Sequence, residues 1–158
     1  MYDDVDWHSG GEGLPADVGP GGAATHIGVF LAWAVLEGHA SADLLRDATD
    51  EVVGLRARAA TGARLVLARG GALTDADLDD DAAAFAAAYY TGDEDDPDGA
   101  GLYLEDYVDA ASPDAGDPED VYRVPDTWET YDLVGPLISA RFSQWEDEGR
   151  PAVLRQRG

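Results

Sequence analysis

Thr25 to Gly38, THIGVFLAWAVLEG, is the stretch whose reading decides the fold. Its apolar residues cover nearly the whole circumference of a helix, so the segment belongs at the centre of the molecule with other elements packed around it. Thr25 reads as its N-cap and Gly38 as its stop. The apolar run from Ile27 to Leu36 is about half the roughly 20 residues needed to cross a bilayer, which makes it a core helix.

Downstream of this helix, Ser41 reads as the cap of a second one, whose stripe Leu44, Leu45, Ala48, Val52 and Leu55 falls at helical spacing. Thr61 with Gly62 either ends that helix or reopens a short one through Leu65, Val66 and Leu67 to a stop at Gly70-Gly71. Thr74 with Asp77 has the form of a capping box ahead of Leu78, Ala82, Phe85, Ala86 and Tyr89. Next come an acidic loop over 92–100, a short helix around LYLEDYVDAA, and a second acidic loop, SPDAGDPED. Val121 to Val124 reads as a short extended piece. Asp126 and Glu129 then open a last helix with the face Trp128, Tyr131, Val134, Ile138, Phe142 and Trp145, in which Pro136 predicts a kink.

Upstream, the Gly- and Pro-rich residues 9–22 read as a loop behind a short N-terminal segment. The expected division is therefore an N-terminal segment and loop, 1–22, packing on a helical domain, 23–149, followed by a C-terminal tail, 150–158. Alternating strand patterns are nearly missing from the sequence. The expected class is all-α: a single-domain irregular bundle of about five or six helices with acidic loops.

The chain has 158 residues, 45% of them hydrophobic, enough for one core. Its net charge is -23, and Gly70 to Tyr122 carries seventeen Asp and Glu with no Lys or Arg. A pI near 4.1 argues against nucleic acid and against an anionic membrane, because both need clustered cations. Basic proteins, cationic ligands and divalent metals fit that charge. Without Cys there is no disulfide or thiolate chemistry. The start MYDDVDWH lacks the basic and apolar regions of a signal peptide, so the expected compartment is cytoplasmic. Lys is missing while Ala, Gly, Asp and Arg abound, as a GC-rich genome would give.

The blocks YDDVDWH at 2–8, THIGVFLAW at 25–33, AFAAAYY at 84–90, YLEDY at 103–107 and DTWETYDLVGPLISARFSQW at 126–145 resemble a family of small bacterial proteins. That uncharacterised family carries a YDDxxWH, THIGxFLAW and DTWxxYD signature. The resemblance implies a single domain and a bacterial origin, and it brings no chemistry with it. Partnership with a secreted toxin follows from it by analogy alone.

Three constellations are candidate sites. Asp3, Asp4 and His8, with His26 at a helix start, hold the ingredients of a divalent-metal site or an acid-base pair, although no fixed spacing ties them together. The plain alternative is that His26 satisfies a neighbour inside the core. Glu94, Asp96, Asp98, Gly99 and Glu105 follow calcium-loop spacing, but with Glu where Asp is needed and with Pro97 in the loop. Finally, Tyr90, Tyr103 and Tyr107 with Glu105, Asp106 and Asp109 would form a mixed aromatic and acidic face suited to the arginines of a basic protein. His39, just past a helix end, fits the negative end of that helix's dipole.

No GxSxG, Walker loop, GxGxxG after a strand or HExxH is present. Asp132 and Arg141 are each expected to pair with a neighbouring helix. The function expected from sequence is a non-enzymatic acidic protein, without a cofactor, that occludes a basic protein partner as an immunity or inhibitor protein for a bacterial toxin. The alternative is a small metal-dependent enzyme built on the N-terminal Asp/His cluster.

Overall fold

The molecule is known from a computed structural model that describes residues 3–4, 20–91, 102–111, 124 and 126–154. It is all-α, as the hydrophobic patterning predicts, and it is organised around the helix of the opening stretch. That helix, α1, runs Pro20–Leu36, so the expected start at Thr25 is corrected. Proline fits a first helical turn because its fixed φ is already helical and its missing N–H would have no partner there. The boundary expected at 22/23 therefore falls inside α1, and Thr25 is buried helix interior. Ile27, Phe30, Leu31 and Ala34 have no exposed surface, which confirms that α1 is enclosed on every side.

Four helices close with one device, a left-handed residue just past the end whose neighbour donates back to the last turn. After α1, Gly38 has φ 80 and the N–H of His39 donates to Ala34 O at 2.7 Å. The helix α2, Ala42–Asp47, is capped by Ser41 as expected, Leu44 N–H donating to its Oγ at 3.1 Å. The single helix expected to continue through Leu55 is broken at Ala48, where φ is -121 and ψ is 37, and resumes as α3, Thr49–Arg56. At that break the Thr49 hydroxyl donates to the carbonyls of Leu45 and Arg46 at 2.9 and 3.0 Å. Leu44, Ala48, Val52 and Leu55 are nonetheless all buried.

The helix α4, Gly62–Ala68, lies against α1 at a backbone-to-backbone crossing. A Cβ on Gly28 would overlap Ala63 N and Gly62 C, and one on Gly62 would overlap the Gly28 carbonyl. Glycine at both positions is what permits the approach. Beyond α4, β1 (Asp3–Asp4) pairs antiparallel with β2 (Ala72–Leu73), Asp3 opposite Leu73, and so ties the N-terminal segment to the helical body.

The capping box at Thr74 and Asp77 exists, but it opens a short 3₁₀ turn over Asp75–Asp77 rather than the long helix expected. Asp77 is held in place because Arg69 donates to its Oδ1 from Nε and a terminal nitrogen at 3.2 and 2.8 Å, while Thr74 N–H donates to its Oδ2 at 3.0 Å. Leu78 is extended, and Asp79 caps α5, Asp80–Ala86, by accepting from Ala82 N–H at 2.8 Å. The chain continues into a π turn, Ala87–Thr91.

The helix α6, Leu102–Ala111, forms where expected. The last helix, α7, Trp128–Asp147, is capped by Thr127, not by Asp126: Thr130 N–H donates to Thr127 Oγ1 at 3.3 Å. Asp126 is engaged elsewhere, accepting from the Thr61 hydroxyl at 2.9 Å. Pro136 lies on the exposed side of α7, and the helix continues through it. The segment expected as a tail begins by folding back. Leu154 is 1% exposed, and its N–H donates to Ala88 O at 2.9 Å, one of the carbonyls a helix end leaves open.

Candidate interaction face and the buried ion pair beneath it

The residues expected to form an aromatic and acidic face lie mainly on α6 and at the end of α5, and the structure turns most of them inward. Tyr103 and Tyr107 have no exposed surface, Tyr90 is 7% exposed and Asp106 8%. Only Glu105 and Asp109, one turn apart on α6, face outward. The expectation that Tyr90 is exposed is corrected by the π turn. There the adjacent side chains Tyr89 and Tyr90 are both taken into the core, between the rings of Phe85, Phe30 and Tyr103. Tyr103 stacks near Tyr90 at 4.7 Å and Phe30 at 5.4 Å, and its hydroxyl donates to the His26 carbonyl. Burying ring area outweighed the polar tips that had pointed to an interface.

Asp106 is the centre of a buried polar cluster. Arg141 of α7 donates to both of its oxygens, at 2.8 and 3.0 Å, and Tyr89 donates its hydroxyl to Oδ2 at 2.7 Å. Arg141 also reaches Gln144 Oε1 at 2.9 Å. The hydrogen bonds that Arg141 donates to Asp106 raise its affinity for its proton above the ordinary guanidinium level. Burial, and then the bond to Asp106, push the Tyr89 phenol well above its usual range. Burial and then the negative charge of Asp126 do the same to Tyr107, whose hydroxyl has no hydrogen-bond partner among the described residues. This cluster locks the π turn after α5 to α6 and α7.

The pairings expected for Asp132 and Arg141 are both found. Asp132 accepts two bonds from Arg58, at 3.1 and 2.8 Å, and Arg141 is held by Asp106. Sequence reading missed Arg58, because a helix end closed by arginine instead of glycine leaves no signal. It also missed that Asp106 and Arg141, far apart in the chain, would meet.

His26 is fully buried in α1 with its ring 6.1 Å from Tyr107, Asp3 and Asp4 form β1, and His8 lies outside the described residues. Among those residues, no group of three His, Asp or Glu is placed to hold an ion. The calcium-spaced acids Glu94, Asp96 and Asp98 and Gly99 also lie outside the described residues. His39 sits past the end of α1 as expected, stacked on Trp33 at 5.4 Å with Nδ1 3.1 Å from Asp79.

Residues 1–124 match a family described as a domain of unknown function, DUF7832, and the chain belongs to that family. No curated protein and no solved structure matches it.

Proposed function

We propose that this DUF7832 protein is a non-enzymatic acidic binding protein of the bacterial cytoplasm that occludes a basic protein partner, as an immunity or inhibitor protein does for a toxin. The observation that supports this reading is the division of acids on α6. Asp106 takes the arginine of the packing helix for itself, while Glu105 and Asp109 face outward with no ion pair among the described residues. Their field, with a chain charge of -23, speeds encounter with a cationic surface and fixes its orientation. With Tyr90, Tyr103 and Tyr107 inside, those rings do not anchor the partner, and the charge acts chiefly on the association rate. The test is co-purification from the native host, followed by association kinetics across a salt series. A basic protein is expected whose association slows as salt rises and slows further with Glu105→Lys plus Asp109→Lys. Recovery of no basic partner, or an association rate indifferent to salt, refutes the proposal. Stoichiometric metal in protein purified without chelator would instead favour an enzyme built on the N-terminal Asp/His cluster.

A further inference from the structure

Leu133, Pro136, Leu137 and Ala140 recur at i, i+3, i+4 and i+7 along α7 and are all exposed, so they form one apolar stripe on its outward side. Leu133 is 51% exposed and Leu137 37%. Single exposed apolar residues, such as Val53 on α3 and Leu67 on α4, are ordinary on a protein surface. Two leucines one turn apart, continued by a proline and an alanine, make a patch, and exposed patches mark interaction surfaces. The opposite side of α7 is already occupied, because Val134, Ile138 and Trp145 are buried in the core.

The charge around the stripe says what covers it. Glu129 lies one turn before Leu133 and Asp147 two turns after Ala140 on the same side, both exposed and without an ion pair among the described residues. Beside Pro136, between α7 and the end of α1, runs a groove of about 200 Å³ lined by Glu37, Tyr131, Asp132, Gly135, Pro136 and Ser139. Two features of this groove favour a cation. Glu37 is exposed, forms no ion pair among the described residues, and sits just past Leu36 at the negative end of the α1 dipole. Pro136 has no N–H to give the Asp132 carbonyl, so that acceptor is left without its helical donor. The arginines nearest this face are spent, Arg58 on the Asp132 carboxylate and Arg141 on Asp106. A second copy of the chain would set these acids against their own, at a charge of -23 each, so repulsion argues against a homodimer and for a cationic partner.

We propose that the outward face of α7 docks an amphipathic helix of a basic protein. The partner's apolar side lies along Leu133 and Leu137, and one of its Lys or Arg side chains enters the groove beside Pro136. The inference rests on the reading that the partner is a basic protein, and it adds the contact that holds that partner in place. The steering acids border the same face, because Asp106 on α6 is clamped to Arg141, one turn beyond Leu137. Glu105 and Asp109 then govern arrival, and the stripe governs departure.

The test uses the full chain and three labelled peptides of about 18 residues, long enough to hold a helix. One carries leucines on a single helical face and arginines elsewhere, one has the same composition scrambled so that no face forms, and one keeps the face with glutamate in place of arginine. Anisotropy titration at about 150 mM salt should give the first peptide a Kd of about 10 μM or tighter, and each of the others one at least about tenfold weaker. Leu133→Gln with Leu137→Gln should weaken the first peptide about tenfold or more, seen in stopped flow as faster dissociation, while Val53→Gln leaves its binding unchanged. Both leucines are exposed and glutamine is close to leucine in helix propensity, so the fold is kept, which circular dichroism verifies. Glu37→Arg, which fills the groove with a cation, should weaken the first peptide about fivefold or more. A scrambled or an acidic peptide that binds as tightly as the first, or a double leucine or Glu37→Arg variant that binds it like wild type, overturns the proposal. So does a dimer of the wild-type chain that the double leucine variant abolishes, since the stripe would then be a contact between copies. Glu105→Lys with Asp109→Lys should slow association and leave dissociation nearly as it is; an unchanged association rate refutes the steering role of α6 and leaves the stripe standing.

Discussion

Gly28→Ala is the sharpest test of how α1 and α4 pack. In an open helix this change is favourable, because alanine exceeds glycine in helix propensity by about 1 kcal/mol. Here the new methyl would overlap Ala63 N, Gly62 C and Ala63 Cα, all backbone atoms, so no side chain can swing aside and the helices must part. Overpacking a well-filled core typically costs about 1–3 kcal/mol, and contacts with backbone on both sides place this case at the top of that range. Subtracting the propensity gain leaves a net loss of about 2 kcal/mol, or a fall in Tm of about 4–8 °C for a chain of this size. The control is Gly54→Ala in α3, where a Cβ meets only the Ala60 methyl at an ordinary 3.5 Å. That substitution should be neutral or raise stability by up to about 1 kcal/mol. Both variants and wild type are compared by urea unfolding followed by far-ultraviolet circular dichroism. A Gly28→Ala protein as stable as wild type would show that the two helices do not cross at Gly28 and Gly62.

Arg141→Ala leaves Asp106 buried without its counter-ion and should cost about 3–5 kcal/mol, measured by the same unfolding curves; a loss below about 1 kcal/mol would place the pair in solvent. Burial holds the Tyr131 phenol up at about 12, and Tyr89 and Tyr107 are pushed up as well. A folded-state value above the unfolded one gives stability that is whole below the ordinary tyrosine range near 10 and drains away as pH rises through the folded values. Ultraviolet tyrosine titration should therefore show these phenols ionising late, with unfolding; all seven titrating together near 10 would contradict their burial. Added sodium chloride should raise Tm, because screening relieves more repulsion at net charge -23 than the attraction it costs, and a falling Tm would show the ion pairs dominate.

The centre of the fold was legible because it rests on unambiguous signals. A stretch apolar on all sides has to be enclosed, and α1 is; Ser41 and the Gly38 and Gly70-Gly71 stops fall where the sequence puts them. What was not legible is where two local signals compete. Thr74 and Asp77 do form a capping box, but Arg69 claims the Asp77 carboxylate and Asp79 supplies a second cap, so one predicted helix became a turn and a helix. Asp126 is the cap the sequence points to, but Thr61, remote in sequence, engages it and Thr127 caps α7 instead. The π turn that buries Tyr90 has no periodic signature, since periodicity is what it interrupts. Each of these outcomes depends on a residue that chain order places far away or on a winding that pattern reading does not include.

The same competition divides the acids, and that division decides how their function can be tested. Asp77, Asp79, Asp106, Asp126 and Asp132 are each committed within the fold, where they hold Arg69, cap α5, clamp Arg141, anchor Thr61 and pin Arg58 respectively. A buried or paired carboxylate of that kind contributes to folding, and its removal lowers stability whether or not a partner exists. Glu105 and Asp109 form no ion pair among the described residues, so their charge acts chiefly outward, and reversing it should slow association with a cation-rich protein far more than it shifts the unfolding curve. Composition assigns all these residues the same charge. The arginines separate them, because a carboxylate an arginine has already claimed is withdrawn from any partner, and the acids left over are where an interface has to be sought.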